Sequence, residues 1–163
     1  MCHTKTSTIL RFFDKYIQNQ ANKAFLDIHN TVIDNHTGIG IYTNLYNLKA
    51  SNFVVSNCGN YAVALTGGGQ YIFDQGTIAN YWKKSTRTTP SLFFNNAYQN
   101  PFDGNLYAYD FIFEMNNCIM YGNQDDEFAT DFYPGPDTTY FFNSSLLKTK
   151  RQNSEAFINY TNC

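Results

Sequence analysis

Shifted by 22 residues, part of the chain lies over itself. Asn30-Thr31-Val32-Ile33-Asp34-Asn35 falls on Asn52-Phe53-Val54-Val55-Ser56-Asn57, and Gly38-Ile39-Gly40-Ile41 falls on Asn60-Tyr61-Ala62-Val63. A unit this short cannot bury its own apolar side, so neighbouring units must stack to make a shared core. Stacking short strands ~4.8 Å apart also satisfies the backbone between units. The repeat therefore predicts an all-β solenoid. Asn at the bends fits, because it tolerates a left-handed backbone and its amide can hydrogen-bond from one unit to the next.

The spacing loosens further on while the pattern of apolar burst, polar turn, apolar burst persists. Tyr71-Ile72-Phe73-Asp74-Gln75-Gly76-Thr77-Ile78 is echoed by Phe111-Ile112-Phe113-Glu114-Met115-Asn116-Asn117-Cys118-Ile119, and again by Tyr140-Phe141-Phe142-Asn143-Ser144-Ser145-Leu146-Leu147. About five units are expected between residues 24 and 163. Two stretches break the rhythm: 83–105, with Thr89-Pro90 and Asn100-Pro101-Phe102-Asp103-Gly104, and 122–139, with Tyr133-Pro134-Gly135-Pro136. Pro and Gly at this density argue against central strands, so both are expected to be loops inserted between units. In repeat proteins such insertions gather on the binding face. Gly67-Gly68-Gly69 lacks the Lys and Ser/Thr of a phosphate loop and reads as a bend.

Residues 1–23 differ in texture. Ile9, Phe12, Phe13, Tyr16 and Ile17 recur at helical spacing, which predicts a short amphipathic helix over about 7–20 that could cap one end of the stack. The alternative is a further strand, since Phe and Tyr are equally at home in sheets. The composition favours strands over long helices, with 18% aromatic and only 15% charged residues.

A formal net charge of −2 argues against a nucleic-acid partner, which would require a concentrated basic face. Lys83, Lys84 and Arg87 form one small basic cluster, and Lys148, Lys150 and Arg151 another. The four cysteines, Cys2, Cys58, Cys118 and Cys163, are widely spaced with no C-x-x-C pair. Cys58 and Cys118 read as small buried packing residues. No apolar run is long enough for a membrane span, and the first residues lack the order of a signal peptide. The three N-x-[ST] matches at Asn35, Asn143 and Asn159 are what chance allows in so Asn- and Thr-rich a chain.

The stretches Gly38-Ile39-Gly40-Ile41, Ser51-Asn52-Phe53-Val54-Val55-Ser56-Asn57-Cys58-Gly59, Gly67-Gly68-Gly69-Gln70-Tyr71, Thr77-Ile78-Ala79-Asn80-Tyr81-Trp82 and Asn117-Cys118-Ile119-Met120-Tyr121-Gly122-Asn123 resemble the right-handed parallel β-helix repeat proteins of the pectate-lyase-like superfamily, notably bacterial surface proteins. The resemblance implies a right-handed parallel β-helix and an extracellular or cell-surface location. Family members are generally longer and capped, so a piece from the C-terminal region of a larger protein is expected. The superfamily holds lyases, hydrolases and non-catalytic adhesins alike, so the resemblance is nearly silent on activity.

Among its enzymes a lyase of acidic glycans would need carboxylates around calcium and an Arg or Lys base, and a glycosidase would need paired carboxylates. Asp125, Asp126 and Glu127 are the one acidic cluster. Adjacent strand residues point to opposite faces, so three consecutive acids do not converge on an ion without a loop. A solvated turn is the stronger reading there. Lys83 and Arg87 could supply a base, but no second carboxylate group lies near them in sequence. His29 and His36 are read as bend residues, not metal ligands. Tyr81 and Trp82 open the longest insertion, and an exposed ring there could stack on the apolar face of a sugar. The competing reading makes Trp82 a plug beneath the loop. The expectation is a non-catalytic carbohydrate-binding module with contacts from Tyr81, Trp82, Lys83, Arg87, Asp125 and Asp126. No cofactor and no metal are expected unless the lyase alternative holds. A structural adhesin stalk is a further alternative.

Overall fold

A computed structural model describes residues 10–13, by backbone alone, and residues 25–151. Among these every regular element is a strand. In chain order they are β1 (Leu10–Phe13), β2 (Phe25–Asp34), β3 (Ile41–Asn44), β4 (Asn47–Ser56), β5 (Val63–Thr66), β6 (Gly69–Asn80), β7 (Leu92–Asn95), β8 (Ala97–Gln99), β9 (Leu106–Ala108), β10 (Phe111–Asn116), β11 (Ile119–Gly122), β12 (Phe128–Asp131), β13 (Thr138–Asn143) and β14 (Leu146–Leu147).

The chain alternates between two parallel sheets. One has the order β1-β3-β5-β7-β12. In the other β2, β4 and β6 run side by side, and the β6 edge continues as β10 with β11 and then β13 with β14. Each pass adds one strand to each sheet, so strands far apart in sequence become neighbours. The 22-residue offset is the pairing register itself: Ile41 stands beside Val63, and Asn52 donates across 22 residues to Asn30. Later layers are spaced more widely because insertions separate their strands.

The second sheet bends within each layer, and the residue at the bend takes a positive φ. Asn30 (50°), Asn52 (48°), Gln75 (51°), Asn117 (53°) and Ser144 (47°) form one column up the stack. Each drops out of the ladder between regular pairs, as between His29↔Ser51 and Thr31↔Phe53. Asn suits this place for the reason given above, and Asn52 Nδ2 donates to Asn30 Oδ1 at 2.7 Å. Gln75 interrupts the ladder, and Asn117 Nδ2 reaches instead to Asp74 Oδ1 at 3.4 Å. Gly67, Gly68 and Gly69 all have positive φ and turn the chain from β5 into β6, as the sequence suggested.

Side chains alternate in and out, and the inner columns build one core. Leu48, Tyr71, Phe113 and Tyr140 stack in register, as do Ala50, Phe73, Met115 and Phe142. The core becomes aromatic toward the later layers. Phe94 from the first sheet lies 4.9, 4.5 and 5.0 Å from the rings of Phe111, Phe113 and Phe128. Such offset contacts add to the burial of each large ring. Gly76 makes room for Phe53: a Cβ there would collide with that buried ring. Cys58 and Cys118 are free and buried.

Two expectations need correction. Within the predicted helix over 7–20, Leu10–Phe13 is a strand paired in parallel with β3. The open β3 backbone offers these residues hydrogen-bond partners, and their aromatics have high strand propensity. The remainder of that segment, with Cys2, Cys163 and the last residues 158–163, lies outside the described residues. Each predicted insertion also contains a strand of the first sheet, β7 within 83–105 and β12 within 122–139. Four-residue strands between Pro- and Gly-rich turns leave too short a pattern to stand out.

Candidate functional site

The insertions fall at two corners of the stack. At the corner leading from the second sheet to the first, Tyr81–Ser91 follows β6 and Asn123–Glu127 follows β11. A buried ion pair joins them. The Arg87 guanidinium donates from Nη2 to Glu127 Oε1 at 2.7 Å and from Nη1 to Oε2 at 3.0 Å, and neither side chain is exposed. Glu127 also accepts from Ser91 Oγ at 2.6 Å and from the Gln124 amide at 2.8 Å. Arg87 further donates to the Asn80 carbonyl (2.9 Å), to Asn123 Oδ1 (2.6 Å) and to the Thr89 carbonyl. Gly122 is required beside them, because a Cβ there would occupy the position of the Glu127 carboxylate.

The residues expected to contact a ligand separate accordingly. Trp82 is 5% exposed and packs against Gly59, with Nε1 donating to Ser85 Oγ at 2.8 Å. It is a plug beneath the loop and has no free ring face to offer a sugar. Tyr81 and Lys83 are exposed; Arg87 is buried and engaged. Lys84 Nζ lies 5.4 Å from the Trp82 ring centroid. The three acids point three ways: Asp125 to Lys150 Nζ (2.9 Å), Asp126 to Thr149 Oγ1 (2.8 Å), and Glu127 inward to Arg87. Lys150 holds the Asp125 carboxyl below its ordinary pKa. No group of three His, Cys, Asp or Glu side chains is placed to hold a metal among the described residues. His36 Nδ1 accepts from the Gly38 amide at 3.0 Å in a bend.

The opposite corner carries none of the six residues expected to contact a ligand, although it draws on the same inserted stretches. There the antiparallel pair β8–β9 projects between β7 and β10, and residues 132–137 link β12 to β13. The two loops are tied together. Asn96 Nδ2 donates to the Tyr133 carbonyl at 3.0 Å, and the Tyr133 amide donates back to Asn96 Oδ1 at 2.7 Å. The Asp137 amide donates to Asp110 Oδ1 at 3.0 Å. On these two loops Phe102 is 82% exposed, with Leu106, Tyr107 and Tyr133 exposed as well. Tyr107 donates its hydroxyl to Asp103 Oδ2 at 2.8 Å. The Asn105 amide and this hydroxyl hold the Asp103 carboxyl below its usual range, and the same bond raises the Tyr107 phenol. The sequence signal was the Asn-Pro-Phe-Asp-Gly-Asn turn between Tyr98 and Tyr107, part of the inserted stretch 83–105 expected on the binding face but with no residue of its own named as a contact.

No protein-family model matches the chain, and comparison with curated proteins and with solved structures gave no match.

Proposed function

We propose that this chain is a right-handed parallel β-helix module that binds carbohydrate without catalysis, at a cell surface or outside the cell. Parallel strands added alternately to two sheets, with a bend column at constant register, support the β-helix reading. Right-handedness follows from the strong preference of parallel crossover connections for that hand. The ligand contacts are assigned to the loop face carrying Phe102, Tyr107 and Tyr133. The observation behind this is that three aromatic side chains stay exposed on loops fastened to each other by the Asn96–Tyr133 pair. Ring faces held in place by a rigid scaffold suit the flat apolar faces of sugars, and Tyr hydroxyls add hydrogen bonds.

A polysaccharide lyase draws less support, since Arg87 and Glu127 neutralise each other out of reach of solvent. Glycan retention by affinity electrophoresis tests the proposal, comparing the parent chain with Phe102→Ala, Tyr107→Ala and Tyr133→Ala. Retention that drops about tenfold in these variants with unchanged thermal melting is the expected result. No retention on any glycan would favour the stalk reading, and unsaturated products from an acidic glycan would favour the lyase.

A further inference from the structure

Charge is segregated between the two corners. The segments 95–110 and 131–137 at the aromatic face contain Asp103, Asp110, Asp131 and Asp137, all exposed, and no Lys or Arg. Arg151, which donates to Thr130 Oγ1 at 3.1 Å, is held over the Phe128 ring. The other corner carries exposed Lys83 and Lys84, with Lys150 paired to Asp125. A polymer with a carboxylate on every sugar would therefore meet four like charges at the aromatic face. Fields of this kind act over about 8 Å at physiological salt, which spans more than one sugar unit. Like-charge juxtaposition is a recognised way of excluding wrong partners.

Resting on the carbohydrate reading above, we infer that the aromatic loop face takes an uncharged glycan and rejects polyuronates. The rings supply attraction that needs no ligand charge, and the four carboxylates supply the discrimination. Asp103 is held in place by the Asn105 amide and the Tyr107 hydroxyl.

The test uses the full chain with three immobilised polymers: an uncharged β-glucan, an uncharged xylan and polygalacturonate. Retention on at least one neutral polymer, lost in Tyr107→Ala, and at least tenfold weaker retention on polygalacturonate are expected. In the triple variant Asp103→Asn, Asp131→Asn, Asp137→Asn the gap between neutral and acidic polymers should narrow severalfold. Because Asp103 braces the loop that carries Tyr107, the double variant Asp131→Asn, Asp137→Asn is run beside it, and there the gap should narrow with neutral retention unchanged. Polygalacturonate retained as well as the neutral polymers, or an unchanged gap in both variants, overturns the inference while leaving carbohydrate binding intact. Polygalacturonate retention abolished by Lys83→Glu, Lys84→Glu would move the ligand to the basic corner and overturn it too. Absence of retention on all three overturns both the inference and the reading beneath it.

Discussion

Replacing Glu127 by Gln keeps the shape of the side chain and removes only its charge. The Arg87 guanidinium then stays fully buried with no counter-ion, and its two donations to the carboxylate, at 2.7 and 3.0 Å, meet an amide that can accept at one atom only. Ser91 Oγ and the Gln124 amide, both aimed at the same carboxylate, compete for what remains. Breaking a buried pair in this way costs about 3–5 kcal/mol, most of it the penalty of an uncompensated charge. With a urea dependence of roughly 2 kcal/mol/M, the midpoint should fall by about 2 M, a large part of the total for a domain of this size. The assay is urea denaturation followed by circular dichroism, with Asp125→Asn as control. That neighbouring acid pairs with Lys150 at 2.9 Å in the open, where solvent and salt screen such a pair and it contributes little. Gly122→Ala should mimic Glu127→Gln, since its methyl group displaces the carboxylate. Replacing Arg87 and Glu127 together by Met should cost less than Glu127→Gln alone. A Glu127→Gln loss no larger than that of Asp125→Asn would refute the claim that a desolvated ion pair pins the two loops.

Gly76→Ala should destabilise by about 1–3 kcal/mol in the same assay, because the methyl group must push the buried Phe53 ring off its place against Phe73; an unchanged midpoint would show that the ring can yield. Asn52→Ala should cost about 1–2 kcal/mol, combining left-handed strain with loss of the 2.7 Å bond to Asn30, and Asn52→Gly should cost less, since only the bond is lost. Burial raises the Cys58 and Cys118 thiols to about 11 from 9.0, and lifts the Tyr71 phenol far above its ordinary value. The folded state thus holds these protons more tightly than the unfolded chain: the thiols' contribution is complete below pH 9 and is lost as pH rises toward 11, and the phenol's is lost only at higher pH. The urea midpoint should fall over that interval, and in a Cys2→Ser, Cys163→Ser background thiol labelling at pH 8 should await unfolding.

Repeat period, strand content and bend chemistry were legible in the residues because they are local. A 22-residue offset aligns apolar bursts whatever else the chain does, and Asn at every such bend but two announces a left-handed backbone. The 22-residue period holds from β2 to β4 and from β3 to β5, and lengthens to 23 from β4 to β6, where Leu48 stands beside Tyr71. It failed at β7 and β12, whose four residues are too few to outweigh the Pro and Gly around them. At 10–13 it was overridden by helical spacing, although pairing with an open strand edge decides the outcome there. The same limit applied to the site. Asp125, Asp126 and Glu127 look alike in sequence, yet one is tied to a surface Lys, one to a Thr and one to a buried Arg 40 residues away. Trp82 and Phe102 are both aromatic residues in loops, and one is buried while the other is exposed. The sequence by itself determined that units must stack, since none can bury its own apolar face. Which insertions meet at a corner, which charges are shut away and which rings face water was decided by the tertiary structure alone. Those properties depend on residues brought together across whole layers of the stack, and no local pattern encodes such a meeting.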